Sequence, residues 1–102
     1  VRVGAENADL LRYWCRIVQR KVDRIWQVPA GIPADGSEAE VEFWVNRDGT
    51  LVNTPEIIKH ATSPAVGESG VRAIQLAAPF GPLPENYPEP ELWVIYAFKV
   101  SE

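Results

Sequence analysis

The stretch VEFWVNRDGTLV, residues 41–52, decides the fold. Apolar side chains at Val41, Phe43 and Val45 alternate with other residues, which is the period of a strand with one face on a core. Asp48 and Gly49 then supply the positive φ angles that a tight hairpin needs. We therefore predict that these two residues form the turn and that the chain returns antiparallel from residue 51 to about residue 59.

The returning strand is interrupted by Thr54 and Pro55. Proline has no backbone N–H, so it cannot donate to the hydrogen-bond ladder of a central strand. The second strand is therefore predicted to lie at a sheet edge or to carry a bulge. The first strand is then free to be central.

Upstream of this hairpin, apolar residues recur at spacings of three and four from about Asn7 to Trp26, which is typical of an amphipathic helix. They are Leu10, Leu11, Trp14, Ile17, Val18, Val22, Ile25 and Trp26. Asn7 or Asp9 can cap the start of this helix, and Pro29 follows its end.

Downstream of the hairpin, Ser63 and Pro64 form the pattern of an N-cap followed by proline at the first helical position. Apolar residues continue at helical spacing, so we predict a helix from about 64 to 78. Gly67 and Gly70 lie inside this helix and are expected to weaken it.

The last part of the chain combines a proline-rich segment with a strand pattern. Five of the nine prolines lie between residues 79 and 90, too many for a helix or a central strand, so this segment is predicted to be an extended connector. Residues 92–100 alternate and carry apolar side chains on both faces, which indicates a final strand.

The order is helix, strand, strand, helix, strand. We predict an α+β fold with a three-stranded antiparallel sheet and two helices on one face, all in a single domain over residues 1–102. A right-handed crossover through the second helix places the first strand in the middle of the sheet. The last strand is then the second edge.

Composition argues against several classes of protein. With 46% hydrophobic and 24% charged residues, the chain is expected to be ordered, and its net charge of −4 argues against a nucleic-acid partner. No apolar run reaches the roughly 20 residues that span a bilayer. The sequence begins at Val1 and contains no Met, so we expect a fragment whose anchor or targeting segment was left out.

Residue types that carry catalysis are sparse. His60 is the single histidine and Cys15 the single cysteine, so no metal site and no Cys-His pair is expected, and Cys15 is either a small buried apolar residue or a reactive thiol. Glu40 and Glu42 fall on the solvent side of the first strand. We therefore expect no enzyme and no cofactor.

Two surfaces could instead contact partners. The first helix holds half of all basic residues, which form either a solvated face or a docking surface for an acidic partner or headgroup. They are Arg12, Arg16, Arg20, Lys21 and Arg24. Trp44 and Trp93 are predicted to point away from the core, either as an interface or packed on each other across the sheet.

Taken together, these motifs resemble the C-terminal domain of TonB and TolA energy transducers. The resemblance covers about residues 13–100 and includes the stretches VEFWVNRDGTLV, AAPFGPLPENYP and LWVIYAFKV. In the first helix it consists of aromatic and aliphatic residues at four-residue steps, with Trp14 where the family commonly has Tyr. The matching single positions, expected to be structural, are Trp14, Val18, Val22, Trp26, Pro29, Pro79, Phe80, Pro82, Leu83 and Pro84.

The resemblance implies a non-enzymatic periplasmic domain tethered to the inner membrane. Such a domain is driven by an inner-membrane, proton-powered complex through an N-terminal part, and it acts on outer-membrane receptors. A TolA-like domain that binds periplasmic proteins is one alternative. A small α+β ligand-binding domain or enzyme is another.

We expect a partner to bind by adding a strand to the exposed edge of the last strand, residues 91–100, because the other edge strand already carries Pro55. The residues predicted to form this edge are Leu92, Trp93, Val94, Ile95, Tyr96 and Ala97. The side chains of Trp93 and Tyr96 are expected to contact the two faces of the added strand, with Trp44 as a further exposed contact. The same edge could pair with a second copy to form a homodimer.

Overall fold

The computed structural model describes residues 1–32 and 37–100. A 3₁₀-helix, two α-helices and three strands follow one another along the chain. They are the 3₁₀-helix Ala5–Asn7, α1 (Arg12–Ile25), β1 (Glu38–Asn46), β2 (Glu56–Lys59), α2 (Pro64–Ala77) and β3 (Glu91–Lys99). No helix in this part of the chain is long and apolar enough to cross a membrane.

The three strands form one antiparallel sheet in the order β2-β1-β3. Pairing of β1 with β3 is regular over nine residues, from Glu38 opposite Lys99 to Asn46 opposite Glu91. Pairing of β1 with β2 is short and contains a register shift between Glu40 and Val41. The predicted fold class, the central position of β1 and the irregular edge strand β2 are confirmed.

Both helices cover the same face of the sheet. The strand residues on that face are buried, namely Ala39, Val41, Phe43 and Val45 of β1 and Leu92, Val94, Tyr96 and Phe98 of β3. Trp26, at the end of α1, contacts both α2 and β3. Its indole N–H donates to Ser69 Oγ at 2.9 Å, and its ring packs edge-on against that of Phe98, with the ring centroids 5.1 Å apart. These contacts agree with the structural role expected for Trp26.

The two glycines of α2 allow the helix to approach the sheet. A Cβ built on Gly67 would lie 2.8 Å from Ile57 Cδ1, and one on Gly70 would lie 2.6 Å from the ring of Phe98. The sequence predicted only that these residues weaken the helix. Their packing role depends on residues in other elements, so helix propensity could not show it.

Helix α1 begins at Arg12, later than the predicted start near Asn7. The N-cap position is Leu11, which makes no side-chain cap, so the prediction of Asn7 or Asp9 as the cap was wrong. The cause is local: Asn7 ends the 3₁₀-helix, and the Asp9 carboxylate accepts a 2.7 Å bond from the Arg12 guanidinium. Helix α2 matches its prediction to within one residue.

The turn between β1 and β2 is a three-residue loop closed by a 2.8 Å bond from Asn46 N–H to the Thr50 carbonyl. Gly49 has φ +90°, whereas Asp48 has no positive φ, which corrects the prediction that both residues do. Asp48 instead accepts bonds from the Thr50 N–H and hydroxyl, and these bonds lower the pKa of its carboxyl. After the turn, Leu51 bridges to Val45 before the chain reaches β2.

The connector between α2 and β3 forms neither a helix nor a strand, as predicted, and it packs against this turn. It is not extended throughout, because the Tyr87 N–H bonds to the Pro84 carbonyl at 3.1 Å in a turn. Phe80 N–H donates to the Gly49 carbonyl at 3.0 Å, and the backbone of Gly81 lies so close to Gly49 that a Cβ there would be 2.3 Å from its oxygen. The Trp14 indole donates to the Gly81 carbonyl at 3.0 Å. The hairpin turn and α1 therefore hold the connector from two sides.

Arg47 fixes the second half of the connector. Its guanidinium donates to the carbonyls of Tyr87, Glu89 and Pro84 at 2.7, 2.8 and 3.0 Å. These three bonds fix the position of the backbone just before β3. Among the family-matching positions of helix and connector, Trp14, Phe80 and Leu83 are buried, Trp26, Pro29 and Pro84 half-buried, and Pro79 and Pro82 exposed.

Candidate partner-binding edge

Strand β3 lies at a sheet edge, as predicted, with β1 on one side. In an antiparallel pair, the backbone N–H and C=O groups of successive residues point alternately toward the neighbour and away from it. The groups of Ile95 point away from β1, because they bond outward to Arg2. Trp93 lies two residues before Ile95 and Ala97 two residues after it, so both present their backbone groups outward as well.

Arg2 occupies the middle of this edge. Its N–H donates to the Ile95 carbonyl at 2.8 Å, and the Ile95 N–H donates to the Arg2 carbonyl at 3.0 Å, which makes an isolated antiparallel bridge. The Arg2 guanidinium also lies 3.1 Å from a Glu40 carboxylate oxygen. No sequence pattern identified above predicts this contact, although the alternation Val1, Arg2, Val3 is a short strand pattern.

The six residues predicted to form the binding edge therefore divide into two sets. The odd-numbered residues Trp93, Ile95 and Ala97 present backbone groups to the outside of the sheet. The even-numbered residues Leu92, Val94 and Tyr96 turn their backbone groups toward β1 and their side chains into the core. Only the first set can bond to an added strand.

The Tyr96 side chain contradicts the expectation that it contacts an added strand. It is 4% exposed, and its hydroxyl donates to the Asp23 carboxylate of α1. Burial and the Asp23 charge both raise the pKa of the Tyr96 phenol, since each disfavours the phenolate. Alternation along β3 assigns this ring to the helix-covered face, where it attaches α1 to the sheet.

Two tryptophans stand on the open face of the sheet, as predicted. Trp44 and Trp93 are directly opposite each other on β1 and β3 and are 40% and 38% exposed. The Trp93 indole donates to a Glu42 carboxylate oxygen at 3.0 Å. Both residues line a groove of about 380 Å³, which lies between the start of β3 and the N-terminal residues Gly4 and Asn7.

The residues considered for chemistry do not come together. His60 is exposed just beyond β2, and Cys15 is half-buried, which raises the pKa of its thiol. Within residues 1–32 and 37–100, no three His, Cys, Asp or Glu side chains are grouped so that they could hold a metal ion. Glu40 and Glu42 bond to Arg2 and Trp93 on the open face.

The basic residues of α1 are all exposed. Arg12 pairs with Asp9, and Lys21 Nζ donates to the Pro79 carbonyl at 2.6 Å, which attaches α1 to the connector. Two of the five predicted surface cations therefore have structural contacts.

The comparison with known families agrees with this architecture. The family described as the C terminal of TonB matches residues 11–98. The chain belongs to the TonB C-terminal domain family. The match runs from the residue before α1 to the penultimate residue of β3, so it includes both α-helices, the connector and all of the sheet except Lys99.

Solved structures of TonB C-terminal domains show the same fold. An NMR solution structure of the Helicobacter pylori domain, residues 179–285 of that protein, is 21% identical, with a TM-score of 0.59, and covers 100% of this chain and 99% of that one. A shorter version, residues 194–285, is also 21% identical, with a TM-score of 0.61, over 86% and 92% of the two chains. No curated protein matches the chain.

Proposed function

We propose that this TonB C-terminal domain is a non-catalytic periplasmic module that couples the inner-membrane proton-motive force to outer-membrane receptors. An extended receptor segment adds to the outer edge of β3. The observation that carries this proposal is the row of outward backbone groups at Trp93, Ile95 and Ala97 on a regularly paired edge strand. Membership in the family supports it.

The geometry of β3 suits the transmission of a pull. Ladder bonds between strands lie across the strand direction, so a force along an added strand loads its bonds to β3 together rather than one after another. Behind β3, the nine-residue pairing with β1 would share the same load. Arg47 and the Gly49 turn hold the connector that leads into β3, so the loaded strand is anchored at its start.

The groove beside Trp93 offers room for side chains of the added segment. It adjoins the outward groups of β3 and contains the exposed faces of Trp44 and Trp93. Main-chain bonds supply affinity in this mode of recognition, and pockets for alternate side chains supply selectivity. We therefore assign Trp44 and Trp93 to side-chain contacts with the segment.

The proposal is tested with synthetic peptides that cover the periplasmic N-terminal segments of the outer-membrane receptors encoded in the same genome. Calorimetry measures their binding to the parent domain, to Ala97→Pro and to Ala97→Val. Proline removes the outward N–H, whereas valine keeps it, and both are tolerated at an edge strand. We expect Ala97→Pro to lose a peptide that the parent and Ala97→Val both bind.

Equal binding by the two variants would contradict edge addition, and so would the failure of every receptor peptide to bind the parent. Core amide spectra of both variants serve as the folding control. Light scattering of the free domain reports whether a second copy takes the edge, in which case its self-association also depends on the Ala97 N–H.

A further inference from the structure

The first three residues lie on β3 as an added strand would. Arg2 exchanges both backbone bonds with Ile95, which is the pattern of a hydrogen-bonded antiparallel pair. Val1 and Val3, on either side, pack against the hydrophobic core. A segment of this chain therefore already shows one way to occupy the outer edge.

The side chains of this segment follow the two faces of the sheet. Arg2 pairs with Ile95, and its guanidinium reaches Glu40 on the open face. Ile95 is only 8% exposed, although alternation places it on that same open face beside the exposed Trp93. The segment thus presents a cation to the open face and β-branched side chains to the core.

We propose that Val1–Val3 is an internal stand-in for the partner strand, which must displace it. The partner therefore carries a basic residue opposite Ile95, flanked by apolar residues. This inference rests on the proposed function and names the chemistry of the segment that binds there.

Charge on the open face supports a basic partner residue. Glu40 and Glu42 alternate along β1 on the face that Arg2 reaches. Glu6, Glu89 and Glu91 line the adjoining groove. A cation entering from the edge meets carboxylates on both sides, whereas an acidic residue there would be repelled.

The stand-in is weakly held, so a longer strand can replace it. Its backbone makes two bonds to a single residue of β3, and its ion pair is open to solvent on one side, with the Arg2 side chain 63% and the Glu40 side chain 19% accessible. An ion pair whose cation is this exposed adds modestly to stability. A partner that also bonds to Trp93 and Ala97 gains contacts that the stand-in leaves unused.

The experiment is an NMR titration of the full chain with the peptide VRVGAE, a copy of residues 1–6, and with the matched peptide VEVGAE. The protein variants are Arg2→Pro, which removes the N–H that bonds to Ile95, and Arg2→Glu, which keeps the backbone but opposes Glu40. Arg16→Ala, on the exposed face of α1, is the control. Core amide shifts confirm that each variant is folded.

We expect VRVGAE to shift the amide signals of Trp93, Ile95 and Ala97. It should bind Arg2→Pro about ten-fold more tightly than the parent, because a site that its own segment occupies about nine-tenths of the time loses ten-fold in apparent affinity for an added peptide. Arg2→Glu should also gain affinity, and Arg16→Ala should match the parent. VEVGAE should bind more weakly than VRVGAE. Glu40→Gln should reduce that preference.

Equal affinity of VRVGAE for the parent and Arg2→Pro would overturn the proposal, as would shifts confined to residues away from β3 or no binding to Arg2→Pro. The receptor peptides separate this result from the proposed function. If they bind the β3 edge equally well in the parent and in Arg2→Pro, the proposed function stands and only the stand-in is refuted. If VRVGAE binds but no receptor peptide does, the stand-in survives as an edge contact and the receptor-coupling function fails.

Discussion

The two edges of the sheet are built differently. Strand β2 has four residues, pairs with a register shift and follows the buried Pro55, while α2 packs over it through Gly67. Strand β3 has nine residues in regular register and is bonded on its outer side at Ile95. One edge is short and irregular, and the other is long and regular.

This difference indicates where a partner strand fits. Proteins commonly protect sheet edges with short strands, proline and bulges, because a straight edge invites pairing with other chains. The β2 edge carries all three features, whereas β3 carries only the contact with Arg2 at its centre. The long, regular β3 edge has the geometry that the proposed addition of a partner strand requires.

The largest effect should come from removing the side chain that joins the helices to β3. Trp26→Ala is expected to lower the free energy of unfolding by about 3 kcal/mol, the lower end of the range for buried aromatics, because Trp26 is half-buried. Urea unfolding measures the loss. Trp44→Ala on the open face is the control and should cost under about 1 kcal/mol. Equal losses would show that the two faces of the sheet are not distinct.

Gly49→Val tests the close packing of the hairpin turn against the connector that leads into β3. The new side chain meets the Gly81 backbone and also imposes a strained positive φ, so we expect a loss of about 2 to 3 kcal/mol. Gly31→Val is the matched control, since Gly31 has φ +76° and none of the residues that the structure describes comes within 4 Å of a Cβ there. It should show the strain alone, roughly 1 kcal/mol. A Gly49→Val domain as stable as the parent would refute this packing.

The two glycines of α2 compare the edges directly, because Gly67 faces β2 and Gly70 faces β3. Gly70→Ala should destabilise by about 1 to 2 kcal/mol, since the Phe98 ring beneath it is held on several sides. Gly67→Ala should be close to neutral, because the end of the Ile57 side chain can rotate away and alanine favours the helix. Thermal melts of both variants check the order, and the reverse order would place the tighter packing under β2.

Tyr96, on the helix-covered face of β3, should make the free energy of unfolding depend on pH. Its pKa is raised in the folded state, so its stabilising contribution is complete below the ordinary tyrosine pKa near 10 and is lost as the pH rises above it. The difference in unfolding free energy between the parent and Tyr96→Phe should shrink by roughly 1 kcal/mol from pH 9 to pH 11. A constant difference would mean that the phenol titrates alike in both states.

Local patterns sufficed for the elements and their order. The alternation in 41–52, the Ser63-Pro64 pair and the prolines of the connector each act through neighbours in sequence. The type and order of the predicted elements agree with the structure, but α1 begins at Arg12 rather than near Asn7, and β2 is limited to Glu56–Lys59 instead of starting at residue 51. The hairpin was placed correctly although Asp48 does not adopt the expected φ, because Gly49 alone provides the reversal.

Contacts between distant residues could not be read from the sequence. Arg47 bonds to carbonyls about forty positions away, Gly70 is defined by the Phe98 ring, and Arg2 reaches Ile95 at the other end of the chain. The edge was predicted as a run of six residues. Which of them turn their backbone groups outward and which inward could be decided only from one observed backbone bond. That bond came from Arg2.

The most direct test of the account is amide hydrogen exchange along β3, measured by NMR in the free monomer and with a bound receptor peptide. In the free domain, the outward amides of Trp93 and Ala97 should exchange fast, that of Ile95 more slowly because it bonds to Arg2, and those of Val94 and Tyr96 slowest. With the peptide bound, all five should be slow. Protection of Trp93 and Ala97 already in the free monomer, or fast exchange at both with the peptide bound, would contradict β3 as the partner-binding edge.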